Sequence, residues 1–128
     1  MRYLLDTHAF LWFVLNDPQL SPTALALIRD SGNEIYLSVA STWEIAIKVS
    51  IGKLQIGPRL DQFLPQQLRQ NGIVLLPITL EHTTAVSTLP LHHRDPFDRL
   101  LAAQSTATRM PIISVDAVLD PYGVQRIW

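Results

Sequence analysis

Five short apolar runs, at residues 2–5, 35–38, 73–76, 112–115 and 124–127, alternate with stretches of helical periodicity, and this alternation constrains the fold more than any other feature of the chain. Two strands joined by a helix-length connection cannot form a hairpin. They pair in parallel, and a parallel sheet needs both faces covered. The expected architecture is therefore a three-layer α/β/α domain of flavodoxin-like kind with a central, mostly parallel sheet. At 128 residues and 48% hydrophobic composition, the chain suits one domain over residues 1–128, with one core. No repeat, low-complexity tract or linker divides it.

The helical stretches carry their own boundaries. One is expected over residues 7–15. Ser21-Pro22 reads as an N-cap and N1 pair opening a helix that runs to Gly32, with Ala24, Leu25 and Ile28 on one face. The segment SVASTWEIAIKVSIGKL offers a helix stopped by Gly52, and another follows over residues 60–71, where Pro65 delimits or kinks it. A helix over residues 80–89 and one capped by Asp95 complete the set.

Ligands in sheets of this type gather beyond the carboxyl ends of the strands. Asp6 directly follows the first strand and Asp116 the fourth, so both acids are placed on that edge. Each has a structural explanation as well: Asp6 as a helix cap and Asp116 as the start of a turn. Glu44 can pair with Lys48 four residues on, but its apolar neighbours in WEIAI suggest an enclosed acid, which needs a partner.

The stretch DPFDRLLAAQ sets two acids one helical turn apart. Asp95 is accounted for as an N-cap before Pro96 at N1. Asp98 shares its face with Leu101 and Ala102 and so leans inward, whereas Arg99 and Thr106 are read as the wet side. Four carboxylates converging on one pocket would repel one another unless a cation held them. With oxygen donors only, the expected ion is Mg²⁺ or Mn²⁺. Such an ion binds a phosphate oxygen and lowers the pKa of a coordinated water, which points to phosphodiester hydrolysis.

The ordered set LLDTHAFLW, SVASTWEIAIKVSIGKL, LPLHHRDPFDRLLAAQ, IISVD and YGVQRIW resembles the PIN domain, most closely the VapC-like toxins of type II toxin–antitoxin modules. The resemblance implies a metal-dependent endoribonuclease that hydrolyses RNA with a metal-activated water and leaves a 5′-phosphate and a 3′-hydroxyl. It aligns the family's acids with Asp6, Glu44, Asp98 and Asp116. In this reading Asp6 and Asp98 hold the principal ion, while Glu44 and Asp116 orient waters or a second ion. Thr7 and Ser114 would be small hydroxyl partners, Ser114 standing where the family often has Thr. Arg94, Arg99 and Lys48 are candidates for phosphate contact. The implied partners are RNA, a small VapB-like antitoxin and a second copy of the chain, with the apolar surplus of AFLWFVL and ALALI as a docking face.

Other features point to quieter roles. His92-His93 is read as a solvated loop, and His82 as a lone histidine; His8, following Asp6 and Thr7, can border the pocket, with capping or packing as its other role. Trp12, Phe13, Trp43 and Trp128 are potential base-stacking platforms, but aromatics amid aliphatics usually belong to a core, where Trp43 is placed. There is no cysteine, which excludes disulfides, thiolate metal sites and cysteine nucleophiles and fits a reducing cytoplasm. The net charge of −1 argues against a broad nucleic-acid-binding face, and the N-terminal apolar run, broken by Asp6 and His8, reads as neither signal peptide nor membrane span. A phosphoacceptor domain would need an Asp at the end of the third strand, where Leu75-Leu76-Pro77 stands. A haloacid-dehalogenase-like phosphatase would need a second acid at His8. A catalytically inactive PIN-like binding module is the remaining alternative, against which the four retained acids weigh.

Overall fold

In the computed structural model, which describes residues 1–128, five strands form one sheet in the order β3-β2-β1-β4-β5, every neighbouring pair parallel. Along the chain these are β1 (Arg2–Leu5), α1 (Thr7–Val14), α2 (Pro22–Arg29), β2 (Glu34–Ser38), α3 (Val39–Ser50), α4 (Leu60–Asn71), β3 (Val74–Leu76), α5 (Leu80–Ala85), α6 (Pro96–Thr108), β4 (Ile112–Ile113) and β5 (Arg126–Ile127). Short 3₁₀ turns occupy Val86–Thr88 and Ala117–Tyr122. No helix is long and apolar enough to cross a membrane.

The period of two along each strand divides the interior into two cores. Tyr3, Leu5, Ile35, Leu37 and Ile113 face one side, where they meet Phe10 of α1, Ala24 and Ile28 of α2 and Ile45 of α3, with Leu64 and Leu68 of α4 packed against the cluster. Leu4 and Ile112 face the other side and meet Leu101 and Ala102 of α6 together with Met110 and Leu119. The expected three layers are thus present, each strand supplying alternate residues to opposite faces.

Differences from expectation have local causes. Helix α2 ends at Arg29, ahead of Gly32, because Asp30 leaves the helical region and its Oδ1 accepts from the Gly32 N–H at 2.9 Å. Helix α4 runs through Pro65 and closes at Gly72, whose left-handed φ of 62° suits a glycine C-cap. Helix α5 is shorter than expected and continues as a 3₁₀ turn, since the hydroxyls of Thr83, Thr84, Ser87 and Thr88 bond back onto carbonyls of their own segment. Strand β4 is shorter than expected, ending at Ile113: Ser114 keeps its N–H on Ile127 of β5 but sends its hydroxyl to Asp6, and Val115 beyond it is exposed.

Trp43 is not in the core; it is 62% exposed. The buried stripe of α3 runs through Ser41 and Ile45, and a residue midway between them points to the opposite side. Its ring rests edge-on against Phe97 at 5.5 Å. By contrast Trp12 packs partly on the first core, with Trp128 edge-on to it at 5.8 Å, so part of the apolar surplus of α1 is absorbed within the chain.

Phe10 is fully buried at the centre of the larger core. Phe10→Ala is expected to cost about 3–5 kcal/mol, measured as a shift in the urea midpoint at constant slope.

Candidate metal centre

The strand order reverses direction at β1, so the carboxyl ends of β1 and β4 flank a topological switch point. Asp6 leaves β1 there, in the extended conformation of an N-cap, and is 6% exposed. Its two oxygens are fixed by different parts of the chain. Oδ1 accepts from the Ala9 N–H at 2.7 Å, and Oδ2 accepts from the Ser114 hydroxyl at 2.5 Å. The same Ser114 oxygen accepts from the Asp116 N–H at 3.0 Å, and the Asp116 carboxylate in turn caps the following turn at Val118. Ser114 therefore ties the acid after β1 to the acid after β4.

Two further elements bring acids to the same edge. From α3, Glu44 accepts from the Thr7 hydroxyl at 2.6 Å and lies 3.3 Å from the Lys48 ammonium. From the start of α6, Asp95 caps the helix by accepting from the Phe97 and Asp98 N–H groups at 2.8 and 3.1 Å. One turn in, Asp98 Oδ2 lies 2.9 Å from His93 Nε2. Asp6, Thr7, His8, Glu44, Lys48, His93, Asp95, Asp98 and Asp116 line one cavity of about 320 Å³, with no hydrophobic side chain among them. Two larger hollows, of about 440 and 530 Å³, lie along α4 and gather no comparable set of acids.

Five carboxyls against one ammonium make this cavity electrostatically costly, and Asp98 and Asp6 register it. Burial, followed by the neighbouring charge of Asp95 and then Asp116, raises Asp98 to about 6, against the hydrogen bond from His93. Burial also raises Asp6, opposed by the bonds from Ser114 and Ala9. The oxygen donors are carboxylates, with the His8 and His93 imidazoles at the cavity wall, a set that fits a divalent cation. The tightest grouping is His93, Asp95 and Asp98, whose potential ligand atoms all lie within 4.8 Å of one another.

All four acids expected from the sequence line the cavity, as do Thr7, Lys48 and Asp95, while Ser114 sits behind it. Asp95 is more than a cap, because its charge acts on Asp98. Arg94 is exposed and outside the lining. Two expectations need correction. Arg99 is not on the wet side: its guanidinium bonds to loop carbonyls, at 3.0 Å for Pro90 and 3.1 Å for Val86, so it is committed to structure rather than to phosphate. His93 is not a solvated loop residue but a partner of Asp98. Nothing in the spacing of His92-His93 reveals which ring turns inward. The cue lies downstream, in Tyr122, against whose ring His92 packs at 5.4 Å.

An acid whose folded pKa lies above its ordinary 3.8 binds protons more tightly when folded, so its contribution favours folding as pH falls through about 6 and opposes it above. In metal-free protein, Asp98→Asn is expected to raise the melting temperature by a few degrees at pH 8, with the gain shrinking towards pH 5. Calorimetric melts across that range check this, and a lowered melting temperature at pH 8 would contradict it.

Comparison with known proteins speaks to the family and the fold. The family model described as PIN domain matches residues 3–123. Ribonuclease VapC16 of Mycobacterium tuberculosis is 36% identical over 70 residues, a match spanning 52% of this chain and about half (50%) of that protein's length. Among solved structures, VapBC2 from Rickettsia felis, bound to a DNA fragment from its promoter, aligns with a TM-score of 0.72 at 14% identity, covering 99% of this chain and 98% of the matched one. FitAcB from Neisseria gonorrhoeae aligns at 0.65 and 18% identity, over 98% and 96% of the two chains. VapBC-1 from nontypeable Haemophilus influenzae aligns at 0.64 and 16%, over 99% and 97%. The structural likenesses speak for the fold, and the family match covers nearly the whole sequence: the chain belongs to the PIN domain family.

Proposed function

We propose that this chain is a metal-dependent endoribonuclease, a single domain over residues 1–128 that serves in the cytoplasm as the toxin of a type II toxin–antitoxin module. The observation that carries the reading is the convergence of Asp6, Glu44, Asp98 and Asp116, from four separate elements, on one cavity at the carboxyl edge of a parallel sheet. The identity to a protein named as a VapC ribonuclease supports RNA as the substrate.

In this reading Asp6 and Asp98 are the principal metal ligands, and Glu44 and Asp116 complete the site. Mg²⁺ or Mn²⁺ fits a donor set dominated by carboxylate oxygen. Bound there, the cation supplies charge neutralisation for the phosphate and a more acidic water. The chain's own residues do the positioning. Ser114 and the Ala9 N–H hold both oxygens of Asp6, and Thr7 and Lys48 orient Glu44. Lys48, 30% exposed at the cavity wall, is the candidate for contact with a phosphate oxygen. With water rather than the adjacent 2′-hydroxyl as nucleophile, the products carry a 5′-phosphate and a 3′-hydroxyl.

Solved relatives described as VapBC and FitAcB assemblies support a small antitoxin as partner. The partly exposed apolar residues of α1 and α2, Phe13, Val14 and Leu25, are available for that contact or for a second copy of the chain.

End-labelled RNA incubated with purified protein tests the reading. Cleavage is expected with Mg²⁺ or Mn²⁺ and is expected to stop with chelator. Asp6→Asn and Asp98→Asn are each expected to lose more than the roughly 10–100-fold that loss of a supporting residue costs. Cleavage unaffected by chelation and by both substitutions would refute it, and RNA bound without being cut would favour an inactive binding module.

A further inference from the structure

Between the 3₁₀ turn at Val86–Thr88 and helix α6, the chain passes through residues 89–95 without regular structure, yet it delivers the His93 ring to Asp98 at 2.9 Å. The backbone of this loop supplies little of its own order; one short bond, from the His92 N–H to the Pro90 carbonyl at 3.0 Å, lies inside it. The order comes from Arg99. Its Nη1 donates to the carbonyls of Pro90 at 3.0 Å and His93 at 3.4 Å, and its Nη2 donates to Val86 at 3.1 Å and Leu89 at 3.5 Å. Tyr122, in the turn after β4, donates its hydroxyl to the same His93 carbonyl at 3.3 Å and accepts from Arg99 at 3.3 Å. The backbone of His93 is thus gripped from two elements while its side chain reaches the site.

We propose that His93 is a positioning residue of the metal centre, donating from Nε2 to Asp98 so that the other carboxylate oxygen is aimed into the cavity, and that Arg99 and Tyr122 form a clamp acting through it. The inference rests on the reading of Asp98 as a metal ligand. An ionised carboxylate only accepts, so the shared proton belongs to the imidazole. Ligating carboxylates held by such hydrogen bonds are oriented and tuned by them. The guanidinium is suited to the clamp because its planar fork addresses several carbonyls at once, which a lysine ammonium on a flexible stem does not. This also explains why an arginine immediately follows Asp98: one helix start supplies both the ligand and the side chain that orders the ligand's partner.

The test is Mn²⁺ affinity, measured on the full chain by electron paramagnetic resonance, with unfolding melts confirming that each variant is folded. His93→Ala is expected to weaken Mn²⁺ binding about 10–100-fold. His93→Gln, whose side-chain amide can still donate to Asp98, is expected to restore most of it. Arg99→Lys is expected to weaken binding when His93 is present and to add nothing in the His93→Ala background, since residues acting through one another are not additive. Unchanged affinity in His93→Ala would overturn the proposal, as would an Arg99→Lys effect of equal size with and without His93. Absence of Mn²⁺ binding by the unmodified chain would instead bring down the metal reading itself, so the two failures are distinct.

Discussion

Everything about the site follows from the way Asp6 is held. It is nearly buried, it sits where the strand order reverses, and each of its oxygens is fixed by a donor from a different part of the chain. One donor belongs to the helix that Asp6 itself starts, so the acid cannot rotate without uncapping α1. The other is Ser114, whose N–H still bonds to Ile127 of β5 while its hydroxyl reaches Asp6 and its oxygen accepts from the Asp116 N–H. A two-stranded step in a parallel sheet thereby becomes a rigid pair of acids.

Around this pair the fold adds charge that it cannot itself neutralise. Asp95 caps α6 and so places Asp98 one turn inside the helix, half-buried and within the influence of both Asp95 and Asp116. Lys48 answers only Glu44. The arrangement departs from what folding stability alone would select, because burying like charges together raises their pKa values and opposes the folded state at neutral pH. The two apolar cores, with fully buried Leu4, Leu5, Phe10, Leu37, Leu101 and Ile112, provide the stability against which such a cluster can be maintained. Locally unfavourable electrostatics on a well-packed scaffold is the physical signature of a functional site.

The sheet, its parallel sense and all six helices were legible in the sequence, because apolar periodicity and capping residues are local signals. Ser21-Pro22, Asp95-Pro96 and Gly72 mark their helix ends as chemistry dictates. The acids were legible too, Asp6 and Asp116 from their place after strands and Asp98 from its helix face. Most of what escaped depends on contacts between distant segments. Trp43 looks like a core residue until the buried stripe of α3 is known to run through Ser41 and Ile45. Arg99 looks solvated until the loop that wraps over it is in place, and His93 is indistinguishable from His92 until Tyr122 takes one ring and Asp98 the other. For Arg99 and His93 the deciding partners lie well away in sequence or in a segment without periodic pattern, whereas Trp43 turns on which face of its own helix is buried.

The central claim, that these carboxylates are assembled to hold a divalent cation, is tested most directly by anomalous diffraction at the manganese edge from crystals soaked in MnCl₂. The account predicts a peak in the cavity within about 2.0–2.4 Å of an oxygen from Asp6 and one from Asp98. A cavity without anomalous density at saturating Mn²⁺, or a peak bound only to surface acids elsewhere, would contradict it.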